Sequence, residues 1–357
     1  LVGSEMCIRD RYNEEQNING ILECIKNQDY DHNNMEVVLV DGASTDNTRA
    51  LMCEFALDNK DEFRRVVVLD NPKKTLPSGW NVALREYKGD AIIKVDAHAV
   101  IPEDFVSKNV RVLETGEYIC GGQRPNIIDK PTPFKETLLL AESSMFGSSI
   151  ASYRNNPGKT YVKSLFHAAY RREVFEKVGF FNEELVRTED NEIHYRMRKA
   201  GYKLCFDPDI ISYQYTRSSL KAMLKQKYAN GYWIGKTSKV CPKCLSIYHF
   251  VPFAFVSAII ASGSVIGATG LAECIKKRHN HTLGKGISAL RKVTVVLTTV
   301  MWVLYALMAS GMAAVSAFKA EDKRNITNAC LPVLFLLLHL SYGIGTIAGL
   351  MDKSKRG

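Results

Sequence analysis

Asp96 and His98 stand two residues apart at the end of a largely apolar run, Ala91-Ile92-Ile93-Lys94-Val95. A carboxylate and an imidazole at that spacing can both ligate a divalent cation, and a cation there can hold the two phosphates of a nucleotide. Taken alone, the same residues also describe a strand followed by a solvated turn. A second acidic cluster, Glu189-Asp190-Asn191-Glu192, precedes Tyr195-Arg196-Met197-Arg198-Lys199-Ala200-Gly201, which reads as a helix closed by glycine. Acidic residues at a helix start are ordinary dipole partners. A carboxylate within hydrogen-bond reach of a hydroxyl is also a general base.

The elements around these residues decide between the readings. An apolar run that stops on an acidic residue is how a buried parallel strand delivers a carboxylate to the carboxyl edge of an open sheet. Residues 35–40, ending on Asp41, and 91–95, ending on Asp96, both fit, which places the two carboxylates along one edge. Between them lie a helix with Leu51, Met52 and Phe55, a strand over 65–69, and a helix after Gly79 that carries Asn81. Before them Ile18, Ile21, Leu22 and Ile25 recur at helical spacing. This β-α-β-α-β order predicts an α/β domain, a mostly parallel sheet with helices on both faces. Gly121-Gly122 allows a sharp turn or a close approach to a ligand, and residues 143–163 read as a mobile excursion. Residues 1–11 are neither apolar nor alternating, so they are expected to be a non-native leader that leaves the first strand missing.

Composition divides the chain at about residue 245. Three apolar stretches follow, 247–272, 293–318 and 329–350, each near the roughly 20 residues that cross a bilayer as a helix. The second is the strongest candidate span. Three full crossings would carry the basic residues 276–292 outside, against the positive-inside tendency. The first stretch, with Pro252, Gly263, Gly267 and Gly270, is therefore also readable as a re-entrant hairpin. The net charge of +9 gathers around these stretches, at Lys236, Lys239, Lys243, Lys276, Lys277 and Arg278 among others, which fits anionic lipid headgroups. No nucleic-acid motif accompanies it, and nucleic acid is not an expected partner. Of the nine cysteines only Cys241 and Cys244 have paired spacing, without the second pair that a structural zinc site needs.

In order and spacing, Tyr12-Asn13-Glu14-Glu15, Asp41-Gly42-Ala43-Ser44-Thr45-Asp46-Asn47-Thr48, Asn81, Asp96-Ala97-His98 and Glu189-Asp190 resemble the signature of family two glycosyltransferases of the GT-A fold. Val95-Asp96-Ala97-His98-Ala99, Tyr170-Arg171-Arg172-Glu173-Val174-Phe175 and Tyr215-Thr216-Arg217-Ser218-Ser219-Leu220 narrow the resemblance to bacterial exopolysaccharide glucosyltransferases of the succinoglycan type. It implies a GT-A domain over residues 12–245 and a membrane region over 246–357. Tyr12, Asn13, Glu14, Asp41, Ser44, Asn81 and Asp96 would line the donor side, with Tyr12 and Asp41 at the base of a UDP-sugar. Asp96 and His98 would hold Mg²⁺ or Mn²⁺, with His98 standing where most of the family has a second aspartate. Asp190 would be the catalytic base of an inverting transfer, and Glu189, Gln226 and Trp233 would lie on the acceptor side. Gln226 is followed by Lys227-Tyr228-Ala229-Asn230, whereas processive members carry Gln-x-x-Arg-Trp. One sugar per acceptor is therefore expected. Apolar stretches beside a sugar-transfer site lead to the further expectation of a lipid-linked oligosaccharide acceptor, which cannot leave the bilayer, and of a catalytic domain on the cytoplasmic side of a bacterial inner membrane. His167 and Asn182 depart from the family pattern, at a usual glycine and aspartate respectively.

Two other classes are compatible with parts of the pattern. A non-catalytic nucleotide-sugar-binding or scaffold component would not need Asp41, Asp96 and Asp190 together. A nucleotidyltransferase would carry a glycine-rich, lysine-bearing loop after its first strand, and none occurs over residues 12–16.

Overall fold

The computed structural model describes residues 13–147, 158–217, 219–279, 284–320 and 324–353, and the backbone of 4–9. The first half alternates as β1 (Ser4–Arg9), α1 (Ile18–Lys26), β2 (Met35–Asp41), α2 (Thr48–Asp58), β3 (Arg65–Asp70), α3 (Leu76–Glu86) and β4 (Ala91–Asp96). Next come β5 (Ala99–Val100), α4 (Phe105–Glu114), β6 (Ile119–Gln123), β7 (Asn126–Ile127), α5 (Pro133–Ser143), β8 (Thr160–Val162) and β9 (Ala169–Arg171). The domain closes with α6 (Arg172–Val178), α7 (Glu189–Lys199), β10 (Leu204–Ile211) and β11 (Tyr213–Tyr215). Four long helices follow: α8 (Leu220–Val240), α9 (Val251–Arg278), α10 (Lys285–Lys319) and α11 (Leu331–Met351).

The main sheet runs β3-β2-β1-β4-β9-β6-β10-β8, and β5-β11-β7 form a second, small sheet. The first four strands are parallel, as the β-α-β order requires. β9 then enters antiparallel between β4 and β6, so the sheet is mixed beyond β4. The backbone of Ser4–Arg9, expected to lie outside the fold, pairs with both β2 and β4. Strand pairing is made by backbone groups, so a slot between two parallel strands accepts a segment with no apolar alternation of its own.

Residues 37–40 of β2 enter opposite cores in turn, which is why that stretch is apolar. Val37 and Leu39 pack with Ile18, Ile21 and Ile25 of α1. Val38 and Val40 pack with Trp80 and Ala83 of α3, and with Ile193 and Met197 of α7. The α3 helix begins at Leu76, three residues ahead of Gly79, with Pro77 in its first turn. At Gly122 the close approach is to the chain itself: a Cβ there would strike the backbone carbonyls of Asp207 and Ile210. It lets β6 approach β10 where the register shifts between Phe206 and Ile211.

α9 is one continuous helix and not a re-entrant hairpin. Pro252 sits in its first turn, where no intrahelical donor is needed, and its glycines do not interrupt it. α9, α10 and α11 are long and apolar enough to cross a membrane. They are not equivalent: 39% of the most apolar window of α11 is buried, against 6% for the other two. α11 packs along α8, where Gly231 and Gly235 face Gly345 and Gly349 and the backbones come together. One core joins Leu138 and Ala141 of α5 and Met223 of α8 to Ala309 of α10 and Leu334, Phe335 and Leu338 of α11. The catalytic-type domain and the membrane-type helices are therefore packed as one body.

Candidate active site

Two residues apart on β4, Lys94 and Asp96 project from the same face of the sheet. The first turn of α7 brings Glu189 and Asp190 to that face. Lys94 Nζ is ion-paired with Asp190 Oδ1, with side-chain exposures of 7% and 18%. The lysine lies over three aromatic rings, Trp80, Phe181 and Phe166, at 5.3, 5.7 and 6.0 Å from their centroids. Burial works against the ammonium, yet the charges of Asp190, Glu189 and Asp96 outweigh it and hold Lys94 above its ordinary value. Burial pushes the Asp190 carboxyl up, and Lys94 pulls against that shift. The net direction is upward, which makes Asp190 a stronger base than a free aspartate, while the ammonium fixes its place.

Two hydrogen-bonded networks fix this arrangement from behind. Tyr170 Oη lies 2.8 Å from His194 Nε2, and His194 Nδ1 lies 3.0 Å from Ser164 Oγ. Burial holds His194 well below and Tyr170 well above their ordinary values, so both are neutral and the chain Tyr170–His194–Ser164 carries no charge. This ties the middle of α7 to β9. Behind Asp96, the Asp96 N–H donates to His167 Nε2 at 3.4 Å, and His167 Nδ1 is 2.9 Å from Ser212 Oγ. Burial lowers His167 to about 4, so the ring is neutral and its Nδ1–H donates to the serine. Asp96 Oδ2 stands 3.9 Å from the same ring.

The residues expected on the donor side form a second group, built on an interlocked pair of loops. Asp41, 1% exposed at the end of β2, accepts the Ser44 N–H at 3.1 Å. The Asn13 N–H donates to Ser44 Oγ at 3.1 Å, and Asn13 Oδ1 accepts the Thr45 N–H at 2.9 Å. Both Asn13 and Ala43 have positive φ, 62° and 58°, a strained state that the reciprocal hydrogen bonds hold in place. The Glu14 N–H donates to Thr48 Oγ1 at 2.9 Å, and Glu14 Oε1 reaches to 3.6 Å from His98 Nδ1. His98 Nε2 lies 3.1 Å from Gln214 Nε2 of β11, so the ring accepts from the amide there and carries its proton on Nδ1, toward Glu14. Contacts thus run from the turn after β2, through residues 13–15, to His98 beside Asp96.

Other expected residues sit apart from these groups. Asn81, 2% exposed, accepts the Phe181 N–H and donates to Phe181 O and Glu183 Oε1, each at 2.9 Å. Its amide anchors the segment leading into α7. Gln226 and Trp233 lie on α8. Gln226 Oε1 is buried with no hydrogen-bond partner among the described residues. α8 is tied to the approach to Glu189 by Asn230, which accepts from Arg187 at 2.9 Å, and by Thr237, bonded to Thr188. Tyr12 lies outside the described residues.

Sequence reasoning assigned no part to Lys94 or His167. Lys94 had a signal: an ammonium in the middle of an apolar strand must find anionic partners. His167 was visible only as a departure from the family pattern.

Residues 11–179 match the model of glycosyl transferase family 2. They form a family 2 glycosyltransferase domain. Among curated proteins, the domain and its flanks are similar to the succinoglycan biosynthesis protein ExoA of Rhizobium meliloti, 30% identical over 203 residues, 56% of this chain and 59% of that protein. This chain therefore spans less than two thirds of that relative's length. A second relative is the dolichyl N-acetyl-α-D-glucosaminyl phosphate 3-β-D-2,3-diacetamido-2,3-dideoxy-β-D-glucuronosyltransferase of Methanococcus voltae. It is 27% identical over 257 residues, 70% of this chain and 78% of that protein. Among solved structures, the mannosyltransferase PcManGT from Pyrobaculum calidifontis, in complex with GDP-Man and Mn²⁺, superposes with a TM-score of 0.57 at 18% identity. The match covers 98% of this chain and 88% of that one. At that identity the likeness establishes the fold, a GT-A-like domain followed by apolar helices.

Proposed function

We propose that the family 2 glycosyltransferase domain is an inverting enzyme that moves one sugar from a UDP-sugar to a lipid-linked oligosaccharide, in the synthesis of an exopolysaccharide or cell-surface polysaccharide. The observation that carries this reading is the meeting of Asp190, at the start of α7, with Lys94, two residues before Asp96 on β4. A half-buried carboxylate thereby faces the strand end that would hold the donor. Asp190 takes the proton of an acceptor hydroxyl as that oxygen attacks the anomeric carbon. The bond to the UDP oxygen breaks on the opposite face, and the configuration inverts.

Asp41, with the turn that Asn13 and Ser44 lock around it, forms the base end of the donor crevice, and Asn81 serves it by fixing the 181–183 segment. Asp96 and His98 offer a carboxylate oxygen and an imidazole nitrogen two positions apart, a donor set suited to Mg²⁺ or Mn²⁺. His98 Nε2 takes the Gln214 amide and Nδ1 faces Glu14, so the ring would have to release one of these contacts to ligate a cation. Among the described residues no group of three such side chains closes a site by itself, so the diphosphate would complete the coordination. A cation there supplies positive charge to the departing diphosphate.

The lipid-linked acceptor is supported by the apolar helices packed against the domain and by the dolichyl phosphate sugar named for the Methanococcus voltae relative. An acceptor on a polyprenyl chain stays in the bilayer. The enzyme then works where the membrane meets soluble nucleotide sugar, on the cytoplasmic side. Glu189, Gln226 and Trp233 lie toward that acceptor. UDP release from a panel of UDP-sugars by membranes carrying the full chain, with and without chelator, tests donor and metal together. Turnover that survives Asp190→Asn would overturn the assignment of the base, and turnover indifferent to chelator would remove Asp96 and His98 as ligands.

A further inference from the structure

The Lys94 ammonium is buried in a strand that is otherwise apolar up to Asp96, a placement that costs several kcal/mol unless charges and hydrogen bonds answer it. Three carboxylates answer it, Asp190 by direct contact and Glu189 and Asp96 by proximity. The partner is informative because Asp190 has another use open to it. At the start of α7 its carboxylate could turn back onto the unpaired N–H groups of its own helix, the ordinary role of acidic residues there. It does not: its hydrogen bond goes to Lys94, across the crevice and 96 residues away in sequence. Trp80, Phe166 and Phe181 stand around the ammonium itself and leave it little freedom to choose another partner.

We propose that Lys94 is a positioning residue of the transfer site, holding the Asp190 carboxylate away from the N-terminus of α7 and turned into the crevice beside Asp96. The role rests on the reading of Asp190 as the base. Lys94 acts through Asp190 and touches neither the nucleotide nor the acceptor. Its removal therefore slows turnover and leaves donor binding alone. Arginine, which keeps the charge on a longer stem, recovers part of the loss.

The test uses the full chain in lipid vesicles, with UDP release from UDP-glucose as the kinetic probe and calorimetric titration with UDP as the binding probe. Lys94→Met is expected to lower kcat about 100-fold with UDP affinity and donor KM within about twofold, and Lys94→Arg to regain about tenfold. Adding Lys94→Met to Asp190→Asn is expected to cost nothing more, because the residue acts through the one already lost. Wild-type kcat in Lys94→Met, or losses that multiply in the double variant, would overturn the proposal. So would a tenfold loss of UDP affinity in both Lys94→Met and Lys94→Arg, which would make the lysine a diphosphate contact. An active Asp190→Asn would refute the base itself. An inactive Asp190→Asn beside a fully active Lys94→Met would refute Lys94 alone.

Discussion

The carboxamide of Asn81 and the backbone of Phe181 are doubly hydrogen-bonded, N–H to Oδ1 and Nδ2 to O, each at 2.9 Å across 100 residues of sequence. Nδ2 also donates to Glu183, which pairs with Lys73 at 2.7 Å. α3 thus sets the path of the chain into α7, and with it the place of Asp190. Asn81→Ala should leave two buried backbone groups unpaired and lower stability by about 2 kcal/mol. It should also slow turnover without abolishing it. Thermal melting beside UDP release checks both effects, and Asn81→Ala with unchanged melting would contradict the structural role.

Asp190→Asn keeps the shape of the side chain and removes its basicity. Turnover should fall by roughly 10²- to 10⁴-fold, the usual range for a general base. Lys94 then lacks its direct counter-charge, so some stability should be lost as well. UDP affinity, measured by calorimetry, should stay within a few-fold of the wild type.

His167 makes stability depend on pH. Its folded value, about 4, lies below the ordinary 6.5, so the unfolded chain takes up the proton first. Its contribution is whole above about pH 6.5, and is lost as pH falls from there to about 4, by roughly 3 kcal/mol in total. His167→Gln should flatten that part of the curve of melting temperature against pH. Equal slopes in the two proteins would show that the ring titrates normally.

Gly231 and Gly263 make a matched pair on two helices. A Cβ on Gly231 would meet the backbone carbonyl of Tyr342 in α11, whereas one on Gly263 of α9 meets nothing within 4 Å. Gly231→Ala should force α8 and α11 apart at a cost of about 2 kcal/mol or more. Gly263→Ala should be neutral or stabilising by up to about 1 kcal/mol. Melting of the two variants in the same detergent makes the comparison.

The Glu142–Lys227 pair, 3.1 Å apart with side chains 9% and 7% exposed, links α5 to α8 beneath α11. Lys227→Met alone leaves the carboxylate without that ammonium and should cost about 3 to 5 kcal/mol. Adding Glu142→Leu should return most of the loss. Denaturation midpoints of the single and double variants measure it, and a single variant as stable as the wild type would show the pair to be idle.

The parallel half of the sheet was legible because each of its strands except β1 announces itself. Residues buried on both faces of β2 and β4 are apolar but for Glu36 and Lys94, and Asp41 and Asp96 mark where the two strands emerge. The interval after β4 was less legible. β9 is three residues long and antiparallel, and its place between β4 and β6 is set by backbone pairing, which leaves little trace in side-chain pattern. β1 was missed for the same reason. α9 was misread as a possible hairpin because glycine and proline weaken a helix in water, whereas here Pro252 occupies a position that needs no donor.

Sequence by itself determined the ordered motif from Asn13 to Asp190, the class of fold, and the three apolar stretches long enough for a bilayer, because periodicity and local chemistry are written residue by residue. Tertiary structure alone decided that Asp190 faces Lys94 rather than its own helix, that His167 backs Asp96, that Asn81 serves the chain path at Phe181, and that α11 is packed against α8. Each of these depends on which distant segments the fold brings within a few ångströms, and a partner 70 or 100 residues away leaves no periodic mark on either side.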